Sequence, residues 1–331
     1  MSAERPTAVG RFARKNSLLS SALRFLGYDV SPDIASAPRI AATEPTVATL
    51  SGGRYADVLP VDVEPIRALL TGYSGIPAED VDQHVYQMRD RLWDIYPYSC
   101  VGRFRFASLE FASDGYYQAA LSRLLQAGTD PDDQTRFLDV GCCVGQVLRK
   151  LAFDGVDSSR LYGTDVEPRF LDLGYDLFRD RDKFRGTFVI GDFLRPLTRE
   201  DGEDETPGLL DQLVGKMTFI HANSFFHLFT WDDQVRAATR MVRLLDPKSP
   251  DVMVFGRHVG TLMPRPRGNG KAGSDTVYLH NEETWQALWN EVGQLTDTRW
   301  KVAMEPIEKV DVGAASLESA MRKMSFCVKR A

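Results

Sequence analysis

From residue 134 onward, short apolar runs of strand length alternate with stretches of helical periodicity. The apolar runs are RFLDVG, LYGTDV, GTFVIGD, MTFIHAN and DVMVFGR. Helical patterns lie at about residues 145–153 and 168–179, and TWDDQVRAATRMVRLL follows the fourth run, where Thr230 and Asp233 form a capping-box pair. Because strands that alternate with helices pack as a parallel sheet covered on both faces, this pattern predicts a doubly wound α/β domain.

The last part of the chain has a different pattern. A helical stretch, NEETWQALWNEVG, precedes two strand-like runs, RWKVAME and KMSFCVKR, which would suit a closing hairpin. Together with the five earlier runs, they predict a seven-stranded, mainly parallel Rossmann-like sheet. Two insertions interrupt the pattern. The acidic REDGEDETPG (199–208) is expected to be solvated, and LMPRPRGNGKAGSD is expected to be a mobile lid or an exposed loop.

Residues 1–133 contain helical patterns and no convincing strand. NSLLSSALRFLG and DGYYQAALSRLLQAG each end at a glycine, and residues 28–65 have the Pro, Ala, Ser and Thr content of a linker or a wrapping arm. The stretch IPAEDVDQHVYQMRDRLWDI carries one apolar helical stripe, formed by Val81, Val85, Met88, Leu92 and Ile95. Since these helices have no sheet of their own to cover, we predict that residues 1–133 form a helical cap over the active site of a domain at 134–331.

Composition narrows the classes of protein that fit this fold. Of the 331 residues, 43% are apolar, enough for a sizeable core, and the net charge of −6 argues against a large nucleic-acid footprint. The four cysteines form no CxxC pair or disulfide framework, and the N-terminus has no signal-like or membrane-spanning apolar run. We therefore expect a cytoplasmic protein without a membrane span, with a homodimer as one option for its oligomeric state.

The most informative stretch is FLDVGCCVGQVLRK (137–150), which starts on the first predicted strand and then turns helical. A dinucleotide fingerprint GxGxxG would need glycine at positions 143 and 146, and a phosphate loop GxxxxGK[ST] would need glycine at 146 and lysine at 147. The chain meets neither requirement. The pattern acidic-x-Gly-x-Gly-x-Gly, found in methyltransferases that use a sulfonium cofactor, fits better. Asp139, Gly141 and Gly145 match it, and Cys143 replaces its middle glycine.

The chemistry of S-adenosylmethionine supports this third pattern. The cofactor carries no phosphate, so its loop needs close backbone approach, which Gly141 allows, and an acceptor for its ammonium group, which Asp139 supplies. In parallel sheets the ligand lies beyond the carboxyl ends of the strands. At the end of the second strand, Asp165 is expected to bind the ribose hydroxyls. After the third strand, Asp192 is expected to accept from the adenine amino group, with Phe193 lying against the ring.

The other residues expected along the cofactor are Cys142, Cys143, Gln146, Val166 and Asn223. We interpret the two cysteines as small, fairly apolar lining residues. A catalytic thiol is disfavoured because no histidine is close in sequence to activate it. Adjacent cysteines cannot easily face one metal ion without further ligands, and no metal is predicted.

Several longer strings resemble a known family. YSGIPAEDVDQHVYQMRDRLWDIYPYSCVGRFRF, followed by FLDVGCCVGQVLRKLAFDGV, LYGTDVEPRFLDLGYDLFRD and FIHANSFFHLFTWDDQ, is similar to the fungal class I methyltransferases of meroterpenoid and polyketide biosynthetic clusters. The resemblance runs from about residue 65 to the C-terminus. In one departure, Tyr98 and Ser99 precede Cys100 where family members often read Tyr-Pro-Cys-Ile-Gly. The resemblance implies methyl transfer from S-adenosylmethionine to small hydrophobic metabolites, in several members at a carboxylate to give a methyl ester.

The acceptor determines whether a general base is needed. A carboxylate, with a pKa of about 4, is already ionised at pH 7, whereas a phenol, with a pKa of about 10, would profit from a base. The candidates for contact with the acceptor are His221 and His227 near the fourth strand, and Arg257 and His258 after the fifth. Arg257 could hold a carboxylate through two hydrogen bonds. Because the family resemblance implies methyl esters in several members and good bases are few in the sequence, we predict O-methylation of a carboxylate. The alternatives are methylation of a phenol, amine or carbon with a histidine base, or a catalytically inactive binding subunit.

Overall fold

The computed structural model describes residues 54–194, 209–267, 277–309 and 320–331. The predicted helix NSLLSSALRFLG, the acidic run 199–208 and residues 268–275 of the predicted lid lie outside this part of the chain. Within the described residues, no helix is both long and apolar enough to cross a membrane.

The described N-terminal part is helical, as its periodicity predicts. Its helices are α1 (Glu64–Gly72), α2 (Val81–Ile95), α3 (Ser99–Gly102) and α4 (Gly115–Ala127), with 3₁₀ turns at Ala78–Asp80, Arg105–Ala107 and Glu110–Ser113. The apolar stripe of α2 is buried except at Ile95, which is half-buried, and the helix ends where Tyr96 becomes extended before Pro97. At the start of α4, the Asp114 carboxylate accepts a hydrogen bond from the Tyr116 N–H.

The strands and the remaining helices follow in chain order. The strands are β1 (Phe137–Val140), β2 (Leu161–Asp165), β3 (Thr187–Ile190), β4 (Phe219–His221), β5 (Met253–Thr261), β6 (Arg265–Arg267), β7 (Val277–Leu279), β8 (Trp300–Lys309) and β9 (Met321–Arg330). The helices are α5 (Gln146–Phe153), α6 (Pro168–Phe178), α7 (Trp231–Leu244) and α8 (Glu282–Thr296).

The main sheet has seven strands in the order β3-β2-β1-β4-β5-β9-β8. Strands β1 to β5 are parallel, whereas β9 runs antiparallel to both β5 and β8. This confirms the predicted doubly wound, mainly parallel sheet with a closing hairpin. The strand order reverses between β1 and β4, and in open α/β sheets ligands bind at the carboxyl ends of the strands beside such a reversal.

The sheet separates two apolar cores. Helices α1, α2, α4, α5 and α6 pack with Phe137 and Phe255 on one face, which we call the cap face. Helices α7 and α8 pack with Leu138 and Val254 on the other, which we call the far face. Neighbouring residues enter different cores because side chains alternate along a strand. The described N-terminal helices therefore share a core with the sheet, and the division of the chain at residue 133 stays a prediction.

Three details of the C-terminal half differ from the sequence prediction. The stretch GRHVG, predicted to follow the fifth strand, lies inside β5, because this nine-residue strand pairs with β9 along its whole length. The described part of the predicted lid includes β6, which pairs with β7 instead of forming a loop. At Thr230, one half of the predicted capping box is present: its hydroxyl accepts from the Asp233 N–H.

Candidate active site

The loop between β1 and α5 has the backbone conformation that its glycine-rich pattern predicts. Positive φ angles occur at Gly141 (68°), Cys143 (50°) and Gly145 (69°), the three positions at which the methyltransferase pattern has glycine. Cys143 therefore adopts a left-handed conformation that L-residues with a Cβ rarely take. The N–H groups of Gly141 and Cys142 both donate to the carbonyl of Thr164, at 2.9 and 3.0 Å, which fixes the loop to the end of β2.

The loop is packed tightly from behind by α6 and by the helix that it opens. A Cβ added to Gly174 of α6 would lie 2.4 Å from the carbonyl oxygen of Val144, and one added to Gly145 would lie 2.5 Å from Nη1 of Arg149. Neither position has room for a side chain, so both glycines allow a close approach that any other residue would prevent.

A fully buried ion pair supports this loop and was not predicted from the sequence. Arg149 of α5 donates from Nε and Nη2 to the two carboxylate oxygens of Asp180, at 2.9 and 3.1 Å, and from Nη1 to the carbonyl of Val144 at 3.3 Å. The hydroxyl of Tyr73, the residue after α1, also donates to Asp180 at 2.9 Å. One bidentate pair therefore connects the N-terminal helices, α5 and the cofactor loop.

Asp165 lies at the end of β2, opposite the loop, as predicted. Its two oxygens accept from the N–H groups of Cys143 and Glu167, at 2.9 and 3.0 Å. Burial raises the pKa of the Asp165 carboxyl, and these N–H donors act in the opposite direction. The backbone N–H of Val166 is a third donor to this carboxylate, so about one of its roughly four acceptor positions remains for a ligand's hydroxyl group. The next side chain, Val166, is apolar and 41% exposed.

After β3, the structure supports one of the two predicted adenine contacts better than the other. Asp192 is exposed, and one of its oxygens accepts from the Leu194 N–H at 2.9 Å. Phe193 is only 6% exposed and packs edge-on against Phe225, so it is a core residue and not the ring-stacking residue that we predicted. The exposed apolar residue at this strand end is Ile190, which the sequence analysis missed.

The remaining predicted lining residues lie in different environments. Cys142 is buried behind the loop, where its Sγ would lie 2.9 Å from a Cβ on Gly163, so it packs in the core. Burial raises the pKa of the Cys142 and Cys143 thiols well above the usual range, and neither offers a thiolate nucleophile. Gln146 begins α5, and its buried Oε1 has no hydrogen-bond partner among the described residues. An acceptor without a donor at this position fits a cofactor that brings one.

Asp139 and His221 form a buried pair that the sequence analysis did not foresee. They are register partners on β1 and β4, and Asp139 Oδ1 lies 2.7 Å from His221 Nδ1. Their side chains are 4% and 2% exposed, respectively. The His221 ring is surrounded by three aromatic rings of the cap face, those of Phe111, Phe137 and Phe255. The predicted ammonium acceptor and the predicted substrate-side histidine are thus bonded to each other.

Arg257 also lies on the cap face, but its guanidinium already has partners. Nε donates to Asp114 at 3.3 Å, and Nη1 lies 3.8 Å from the Glu110 carboxylate, which is also paired with Lys323. Asp114 accepts a further hydrogen bond from the Ser325 hydroxyl at 3.0 Å. The arginine that we predicted to hold a substrate carboxylate therefore joins β5 to the N-terminal helices. A carboxylate ligand would have to compete with Glu110.

His227 and His258, both predicted as candidates for contact with the acceptor, are buried in the protein. His258 is 3% exposed, among the rings of Phe226, Trp285 and Phe326, and neither of its nitrogens has a hydrogen-bond partner among the described residues. Burial lowers the pKa of His227 to about 4 and that of His258 well below its usual range. Both histidines are therefore neutral residues of the far-face core at pH 7.

Two segments border the loop from outside the motif. Asn223 is half-buried in the turn after β4, where the next residue, Ser224, donates its N–H to the Arg257 carbonyl at 2.7 Å. The YPYS segment of the N-terminal part reaches the cofactor loop. Tyr98 is half-buried there, and the pKa of its phenol is raised by burial and by the proximity of Asp165 and Cys143, among other groups.

A surface cavity of about 390 Å³ lies elsewhere, between α2 and α6. Its lining is mostly charged: Arg91, Asp94, Ile95, Arg169, Asp172, Leu173, Asp176 and Arg181. Two ion pairs, Arg91–Asp176 and Arg181–Asp172, occupy this lining, which does not suit an apolar ligand. Among the described residues, no group of three His, Cys, Asp or Glu side chains could hold a metal ion.

Comparison with known proteins finds related methyltransferases. The family described as the meroterpenoid methyltransferase N-terminal domain matches residues 55–107. The O-methyltransferase phiE of a fungal species is 40% identical over 247 residues, which cover 74% of this chain and 76% of that protein. The asnovolin E/chermesin D methyltransferase nvfJ of Aspergillus novofumigatus is 35% identical over 248 residues, which cover 75% of this chain and 82% of that protein.

A solved structure with a similar fold is the phosphoethanolamine N-methyltransferase 2 of Haemonchus contortus in complex with S-adenosyl-L-methionine. It has a TM-score of 0.43 and 15% sequence identity, and the match covers 73% of this chain and 59% of that one.

Proposed function

The chain belongs to the fungal S-adenosylmethionine-dependent methyltransferases of secondary metabolism, and we propose that it converts a carboxylate of a small hydrophobic metabolite into a methyl ester. When bound, S-adenosylmethionine supplies an activated methyl group on a sulfonium. The residues of this chain then have to hold the two reactants in line and keep water away.

We assign the cofactor to the loop 141–145 and the strand ends around it. Asp165 has acceptor capacity left for the ribose, Val166 and Ile190 present exposed apolar side chains beside it, and Gln146 has an unused buried acceptor. The half-buried Tyr98 brings the N-terminal helices next to this loop. These features support a cofactor held between the strand ends and a cover that excludes water.

The preference for a carboxylate rests on the burial and hydrogen bonding of the histidines, which leave few candidates for a general base. The chain has five, and four of them are buried: His221, His227, His258 and His280. The fifth, His84 of α2, bonds through Nε2 to the carbonyl of Leu177 at 2.9 Å. A phenol would need a base that can take its proton, whereas a carboxylate arrives ionised and needs only orientation and desolvation.

The cations of the cap face are consistent with an acidic acceptor. Arg257 and Lys323 both approach the exposed carboxylate of Glu110, whereas the more buried Asp114 holds Arg257 in place. An acceptor carboxylate that displaced Glu110 would meet two positive charges. We propose this position, two residues beyond Phe255 on β5, for the acid group of the substrate.

One observation favours a second candidate function. The Asp139–His221 pair has the arrangement of a base oriented by a carboxylate, with Nδ1 bonded to the acid. If Nε2 of His221 reached the acceptor, a phenol or another hydroxyl could be methylated. The ring is almost completely buried under three aromatic side chains, which favours the first candidate.

The test has two steps. Calorimetric titration with S-adenosylmethionine and S-adenosylhomocysteine should show binding that is lost in Asp165→Ala and retained in Asp172→Ala, an exposed aspartate on α6 that serves as a control. Aromatic and terpenoid acids, each paired with the corresponding primary alcohol or phenol, are then screened with methyl-labelled cofactor. We expect labelled product only from the acids, and we expect mild alkali to release the label because it cleaves esters but not ethers. Alkali-stable product from the hydroxyl compounds would replace the carboxylate proposal by the second candidate.

A further inference from the structure

We propose that His221 is a positioning residue for the cofactor: it holds the carboxylate of Asp139 in the orientation in which that group receives the ammonium of S-adenosylmethionine. The inference rests on the proposed cofactor site. It assigns to this histidine a role in binding the amino-acid part of the cofactor, with no contact to the acceptor.

The position of the pair is the first argument. Asp139 lies on β1 two residues before Gly141, and its charge contributes to the raised pKa of both Cys142 and Cys143, so its carboxylate lies close beneath the loop. Register pairing brings His221 on β4 directly beside it, at 2.7 Å. The pair thus spans the two strands between which the sheet reverses its order, at their carboxyl ends.

The hydrogen bonding of the carboxylate is the second argument. Oδ1 of Asp139 is bonded to His221 Nδ1, and no donor to Oδ2 is found among the described residues. Oδ2 is not among the buried side-chain oxygens that lack a partner, so it is open to a donor or cation from a ligand. The ammonium group of the cofactor is a cation with three donors and would supply what Oδ2 lacks.

The surroundings explain why the carboxylate needs a positioning residue. Beside the pair, Phe111, Phe137 and Phe255 present rings that cannot hydrogen-bond to the carboxylate. Without the Nδ1 donor, Asp139 could rotate about its side-chain bonds, and it would then bind an ammonium less well. His221 therefore acts on the cofactor through Asp139.

Two substitutions separate positioning from a general structural role. His221→Asn places an amide N–H near the position of Nδ1, whereas His221→Gln places it near Nε2, and both variants introduce the same chemical group. Each is titrated with S-adenosylhomocysteine, which has the amino-acid ammonium, and with 5′-methylthioadenosine, which lacks the amino-acid part. We expect His221→Gln to bind S-adenosylhomocysteine about tenfold more weakly and His221→Asn to remain within about threefold of the original protein. Binding of 5′-methylthioadenosine should be unchanged in both.

A double-mutant cycle gives an independent measurement. In an Asp139→Asn background, His221→Gln should cause no further loss of S-adenosylhomocysteine affinity, because the residue through which it acts is gone. Equal losses for both ligands, equal losses in the Asn and Gln variants, or additive losses in the cycle would each refute the positioning role and leave the cofactor site intact. If the unsubstituted protein bound neither ligand, the cofactor site itself would be refuted, and the inference with it.

Discussion

Replacing Cys143 by glycine and, separately, by alanine separates the effect of its backbone conformation from the effect of losing its thiol. Both variants lack the sulfur, but only alanine keeps a Cβ at a φ of 50°. A Cβ in the left-handed region destabilises the folded state by about 1–2 kcal/mol. Glycine avoids this strain, but it destabilises the protein by about 0.4–1 kcal/mol because it makes the unfolded chain more flexible. We therefore expect Cys143→Gly to be more stable than Cys143→Ala by about 1 kcal/mol.

The neighbouring cysteine provides a matched control. Cys142 is not among the described residues with a positive φ. At that position glycine has no conformational advantage, so Cys142→Ala should be more stable than Cys142→Gly by about 0.5–1 kcal/mol. Glycine should therefore be the more stable substitution at position 143, and alanine the more stable one at position 142. Chemical denaturation, monitored by far-UV circular dichroism, gives the four free energies of unfolding.

The result that would refute this reasoning is the same order at both positions. If Cys143→Ala were at least as stable as Cys143→Gly, the loop would not hold Cys143 in a left-handed conformation in solution. The match of this loop to the acidic-x-Gly-x-Gly-x-Gly pattern would then concern the sequence and not the backbone conformation. Titration with S-adenosylhomocysteine on the same variants would show whether the binding site survives.

Two further predictions follow from buried ionisable groups. Arg149→Met should lower the free energy of unfolding by about 3–5 kcal/mol, because it leaves Asp180 buried without its ion-pair partner. Tyr73→Phe removes one hydrogen bond to Asp180 and should lower this free energy by about 1 kcal/mol. Denaturant titration measures both changes. Burial lowers the pKa of His227 to about 4 and of His280 to about 3, so between pH 6.5 and 4 the unfolded chain binds protons that the folded chain does not. The contribution of these histidines to the free energy of unfolding should therefore be fully present above pH 6.5 and fall as the pH decreases, by about 2 kcal/mol per histidine down to pH 5. His227→Phe should make the free energy of unfolding less dependent on pH.

The elements of the fold could be predicted because their signals are local. The five apolar runs before the C-terminal helix all lie on strands β1 to β5, and the α2 stripe is the buried face of that helix, since both depend on periodicity within one segment. The short ribbon of β6 and β7 was missed because its strands have only three residues each, too few for a periodic pattern to be recognised. The end of β5 was placed too early because pairing with β9 prolongs it beyond its apolar run.

The site could be predicted only in part because its decisive contacts join distant residues. The motif gives the positions of Gly141 and Gly145, and the end of the second apolar run gives that of Asp165, because these positions depend on one loop and the neighbouring strand end. Which side chains pair with each other depends on register and on the side of the sheet that each residue faces. Asp139 and His221 are 82 residues apart, and Arg257 and Asp114 are 143 apart. No local pattern distinguishes such pairs from unpaired residues.

The two faces of the sheet differ in the partners of their ionisable groups, and this difference bears on where the acceptor binds. On the cap face, three aspartates within or beside the core each pair with a basic side chain: Asp139 with His221, Asp114 with Arg257, and Asp180 with Arg149. On the far face, His227 and His258 are buried and neutral, and the guanidinium of Arg240 donates to the backbone carbonyls of Asp192 and Phe193. A substrate carboxylate needs cations to orient it, and a cofactor ammonium needs a carboxylate. Both requirements are met on the cap face, so we expect the acceptor to enter between that face and the N-terminal helices.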